Sequence, residues 1–98
     1  MQVQSALLFE SPEQIYARVF RELRPRTPMP AFVIHYRRFA NANSFIRMRD
    51  GIIEARITDV LQGAPAPIQE ALAWILLAKL FRRDIPPAAS DHYRRWMN

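Results

Sequence analysis

Between Ala71 and Phe81 the run ALAWILLAKLF carries a single polar residue, Lys79. A helix of this composition is apolar on nearly every side, so it is stable only where protein covers it all round. The run is about half of the roughly 20 residues that a bilayer span requires, and Arg82, Arg83 and Asp84 end it. It reads as the core helix of a folded domain, and the rest of the chain has to supply its cover. Pro67 suits the first helical turn and Pro86-Pro87 block continuation beyond Ile85, which predicts a helix over Pro67–Arg83.

The 98 residues are enough for one domain around one core. Ser11-Pro12-Glu13-Gln14 opens an amphipathic helix over residues 11–24, with Ser as N-cap, Pro at the first helical position and Gln placed to close a capping box. Ile15, Tyr16, Val19, Phe20 and Leu23 form its apolar side. Met1–Glu10 is compatible with either an edge strand or a loose end. Pro25, Pro28 and Pro30 make a stiff connector. Phe32–Phe39 alternates like a strand, and Ala40–Ser44, with two asparagines, reads as a loop.

Asp50-Gly51, between Phe45–Arg49 and Ile52–Ile57, is the strongest hairpin signal, because a type I′ turn needs positive φ at both central residues. That turn pairs Met48 with Ile53, Ile46 with Ala55, Arg47 with Glu54 and Phe45 with Arg56. One face is then apolar, while the other carries a salt pair and a cation–π pair. Thr58-Asp59 caps a short turn ended by Gly63, and residues 88–97 form a short C-terminal helix. The expected fold is α+β: a small, mainly antiparallel three-stranded sheet over residues 31–57, with two to three helices on its apolar face.

Net charge is +5, and thirteen of the fourteen cations are arginine, a bias that suits nucleic acid or an acidic partner and that arginine-rich codon usage also produces. The chain has no cysteine and its start lacks a basic, apolar leader, so a cytoplasmic location is expected. Zinc takes three or four protein ligands, whereas only His35 and His92 are present and H-E-x-x-H is not. Two glycines cannot build a phosphate-binding glycine loop. No catalytic residue, metal site or cofactor is assigned, and no independent enzyme is expected. Arg37-Arg38 with Phe39, and Arg94-Arg95 with Trp96, interleave cations and aromatics as a single-strand groove does. Long cationic side chains lying over an apolar body give the same pattern.

The stretches IYARVFRELRPRTPMP, FANANSFIRMRDG, ITDVLQGAPAPIQEALAWILLAKLFRR and HYRRWMN resemble the N-terminal region of bacterial SprT-like metallopeptidases that carry an extra segment before the peptidase domain. The likeness covers most of the chain and is not a catalytic signature. It implies a degenerate zincin-like half-domain. In SprT-like proteins a hairpin leads into a helix bearing H-E-x-x-H, and the comparable positions here read Trp74-Ile75-Leu76-Leu77-Ala78. Trp74, Ile75 and Ala78 thus stand at the motif positions, with neither ligand nor general base carried over. The resemblance implies a non-catalytic accessory or pseudo-metallopeptidase domain that scaffolds or recognises targets for an adjoining peptidase domain, whose zinc motif would lie beyond Asn98. Trp74 is then expected to fill a packed, dry pocket, its indole bonded to a backbone carbonyl or to a side chain of the Ala40–Ser44 loop, Asn41 or Asn43. The alternative is a basic nucleic-acid-binding module working through Arg37, Arg38, Arg94, Arg95 and Trp96, which would serve an acidic protein surface equally. No membrane partner is expected.

Overall fold

The computed structural model describes residues 10–38 and 44–98. The expectations for Met1–Phe9, Phe39, Asn41 and Asn43 therefore lie outside the described residues. Helix α1 (Pro12–Leu23) opens with the expected capping box: the Gln14 N–H donates to Ser11 Oγ at 3.1 Å and the Ser11 N–H donates to Gln14 Oε1 at 2.8 Å. Each bond satisfies a backbone N–H that the helix itself cannot. Ile15, Tyr16, Val19 and Phe20 are buried.

Asp50 (φ 53°) and Gly51 (φ 76°) both occupy the left-handed region, as a type I′ turn demands. They join β2 (Phe45–Arg49) to β3 (Ile52–Thr58) in the expected register, Met48 opposite Ile53 through Phe45 opposite Arg56. Strand β1 (Ala31–Arg37) lies on the other side of β3 and runs parallel to it, from Ala31 opposite Ile52 to Arg37 opposite Thr58, giving the order β1-β3-β2. The α+β class holds, but the sheet is mixed where a mainly antiparallel one was expected. Period-two alternation tells which residues share a face and is silent on which neighbour a strand takes. The most deeply buried strand, β3, takes the centre, and the hairpin leaves β2 at the far edge.

On the inner face Ile53, Ala55 and Ile57 are fully buried, flanked by Phe32, Ile34 and Tyr36 of β1 and Ile46 of β2. Burying an isoleucine side chain this completely contributes about 1.5–3 kcal/mol. Helix α1 packs over β1, and helix α2 (Ala66–Leu80) packs over β2 and beside α1. Phe20 meets Phe32 and Phe81 edge-on, at 5.9 and 5.7 Å between ring centroids. The buried Gln69 amide donates to the Leu61 carbonyl at 3.0 Å and accepts the Tyr36 hydroxyl at 3.1 Å, tying α2 to β1 and to the short turn Asp59–Leu61.

Helix α2 buries residues all round, including Ile68, Ala71, Leu72, Ala73, Leu76, Leu77 and Ala78, with helix α3 (Pro87–Met97) covering the side the sheet leaves open. It ends three residues short of the expected Arg83, and Pro86-Pro87 do not stop it. The Arg83 N–H reaches the Ala78 carbonyl at 2.8 Å and the Arg82 N–H reaches Lys79 at 3.2 Å, with Arg82 at φ 56°. This is a Schellman turn in which arginine holds the place that glycine usually takes.

Candidate functional site: the outer face of the sheet

Alternation along the strands sends Val33, His35 and Arg37 of β1, Ile52, Glu54 and Arg56 of β3, and Phe45, Arg47 and Arg49 of β2 to the face opposite the helices. Four arginines and a histidine share that face with one strand carboxylate, and Arg47, Arg56 and His35 lie closest to it. Glu54 Oε1 accepts a hydrogen bond from Arg47 Nε at 3.0 Å and lies 3.0 Å from Arg47 Nη2. Its Oε2 lies 3.5 Å from both Arg56 Nε and His35 Nε2. The Arg47 hydrogen bond, with the charges of Arg56 and Arg47 adding to it against partial desolvation, holds the Glu54 carboxyl below the usual carboxylate range. The Arg56 guanidinium lies 5.7 Å from the Phe45 ring centroid. Both polar pairs expected across the hairpin are thus present.

The same face exposes apolar surface: Phe45 at 45%, Ile52 at 44% and Val33 at 37%. At its far end the Thr58 N–H donates to Ser44 Oγ at 3.1 Å and Thr58 is buried, while Arg37, opposite it on β1, is exposed. The arrangement can bind anions through guanidinium groups already oriented by Glu54, and flat apolar groups beside them.

The two clusters singled out in the sequence are not brought together. Arg37 closes β1 on the outer face and Arg38 follows it, exposed. Arg94, Arg95 and Trp96 belong to α3, which rests on α2 on the helical side of the molecule. Arg94 pairs with Asp91 at 3.6 Å, and Arg95 and Trp96 are exposed. Arg47, Arg49, Arg56 and Phe45 are the residues that sequence reasoning did not assign to a site. The hairpin register already put them on one face; missing was that β1 extends that face with more cations.

The zinc-motif positions fare differently from one another. Ala78 is fully buried and Ile75 half-buried. Trp74 is also half-buried, and the expected packed, dry pocket is corrected: the indole lines an open groove of about 340 Å³ with Pro67, Glu70, Pro86, Ala89 and His92. Leu72, Ala73, Leu76 and Leu77 take the core positions, while the small residues at the start of α3 leave room at its seam with α2. Glu70 in this groove is held by Arg18 Nη2 at 3.2 Å, and Arg18 also pairs with Glu10 at 2.9 Å. His92 is exposed. Among the described residues no group of three His, Cys, Asp or Glu is placed to hold a metal, and no helix is long and apolar enough to cross a membrane. No protein-family model, no curated protein and no solved structure matches the chain.

Proposed function

We propose that this chain is a non-catalytic accessory module of the kind found ahead of SprT-like peptidase domains, cytoplasmic, and serving to scaffold or recognise targets for an adjoining peptidase domain. The observation that carries this reading is the use made of α2. The helix compared above with a zinc-binding helix spends most of its surface on packing: Leu72, Ala73, Leu76 and Leu77 are buried in the core, Ala78 is enclosed, and Trp74 and Ile75 lie half-buried along α3. A helix committed in this way is a structural strut, and recognition falls to the surfaces around it. The test is direct. The purified chain should hold no stoichiometric zinc by elemental analysis and should leave casein intact. Stoichiometric zinc, or casein cleavage that chelators abolish, would refute the reading.

A further inference from the structure

We propose that the outer face of the sheet is a platform for single-stranded nucleic acid, contacted through Arg37, Arg47, Arg49 and Arg56 and stacked upon at Phe45. This goes beyond the accessory role and does not depend on it.

Charge complementarity names the class of partner. The strands of this face present four arginines and His35 against Glu54 alone, with Asp50 in the adjoining turn. Glu54 does not cancel the patch so much as orient it: by engaging Nε and Nη2 of Arg47, it leaves the other edge of that guanidinium directed away from the pair. A guanidinium fixed in this way can take a phosphate in two parallel hydrogen bonds without first losing side-chain freedom.

The apolar component decides between kinds of polyanion. Phe45 sits beneath Arg56 and two residues from Arg47, and Ile52 and Val33 add exposed apolar surface on neighbouring strands. Successive outward residues of a strand stand roughly 7 Å apart, so Phe45, Arg47 and Arg49 form a row alternating a stacking surface with phosphate donors. Unpaired bases stack on aromatic rings and on guanidinium planes, which is how open sheet faces bind single strands. The Asp and Glu side chains that make a peptide acidic offer no aromatic face to stack on Phe45. A duplex hides its base faces, and this broad sheet surface offers no single element to enter a groove.

The experiment is a fluorescence-anisotropy titration of the whole chain with fluorescein-labelled 20-nucleotide oligo-dT and oligo-U, beside a 20-base-pair duplex, at 50 mM salt. Single strands should bind more tightly than the duplex. Three or four phosphate contacts should give a log–log salt slope of about −2 to −3. Arg47→Ala combined with Arg56→Ala should weaken binding about tenfold or more, and Phe45→Ala by roughly five- to a hundredfold. Arg95→Ala on α3 should leave the affinity within about twofold of the parent, as its side chain lies off the platform. Amide chemical-shift changes on adding oligo-dT to the unmutated chain should centre on Phe45–Arg49 and Ile52–Arg56, a readout that no folding defect can mimic. No anisotropy change with the folded chain, shifts centred on α3, or equal competition by polyglutamate would each overturn the proposal.

Discussion

The two faces of β3 have opposite fates. Ile53, Ala55 and Ile57 are fully buried under two helices, whereas Glu54 and Arg56, one residue away along the same backbone, meet water and one another. Stability and recognition can therefore be altered separately within five residues of a single strand. Burial of apolar area is worth kilocalories per side chain, while ion pairs at a surface are screened and contribute little. Substitutions on the inner side should unfold the protein, and those on the outer side should change what it binds.

The sharpest break of this contrast is Ile57→Ala, which removes a fully buried side chain and should cost about 2–5 kcal/mol in urea unfolding. Leu72→Ala, in the same core cluster on α2, should fall in the same range, and Ile75→Ala, only half-buried, well below it. Near-equal values for Leu72 and Ile75 would mean that α2 is turned otherwise in its seat.

Next come the tyrosines. Tyr36→Phe deletes the hydroxyl that Gln69 accepts and should cost about 1 kcal/mol. Tyr16→Phe should be neutral or stabilising, because the Tyr16 hydroxyl is buried with no hydrogen-bond partner among the described residues. Burial pushes the Tyr16 phenol well above its usual range. A group whose folded pKa is raised leaves stability intact below the unfolded value of about 10 and erodes it as pH climbs beyond that value. The Tyr16→Phe variant should accordingly resist alkaline unfolding better than the parent, and thermal melts between pH 9 and roughly pH 11 would measure the difference.

The outer face should give the smallest stability effects. Arg47→Ala should move the urea midpoint less than Ile57→Ala or Leu72→Ala, since its partner pair is exposed to solvent. Glu54→Gln adds a pH signature. The Glu54 carboxyl is held low, so what it contributes is fully present above the ordinary carboxylate value of about 4.3 and is lost as pH falls from there through the lowered folded value. The gap between parent and Glu54→Gln should close on acidification. A gap that widened instead would mean that Glu54 is not bonded to Arg47 in solution.

Much of the molecule was legible because its signals are local. The capping box needs only Ser11 and Gln14, the type I′ turn only Asp50 and Gly51, and the hairpin register follows from that turn. Each is a bargain struck within a few residues of backbone, so chemistry and spacing are sufficient to read it. The end of α2 was misread for a related reason. The prolines at 86 and 87 are visible breakers, but a Schellman turn centred on arginine carries no glycine to announce it.

By itself the sequence determined that Ala71–Phe81 must be enclosed, that Phe45–Thr58 folds back on itself, and that Arg47, Glu54, Arg56 and Phe45 share one side of the hairpin. Only the tertiary structure decided that β1 joins β3 in parallel, that Arg37 and His35 thereby extend the arginine face, that Arg94 and Arg95 stand apart from it on α3, and that Trp74 opens onto a groove. The physical reason is range. Turns and caps are settled by hydrogen bonds between near neighbours, whereas strand order and the exposure of a face depend on which distant apolar surfaces find each other, and periodicity along one segment is the same whichever partner covers it.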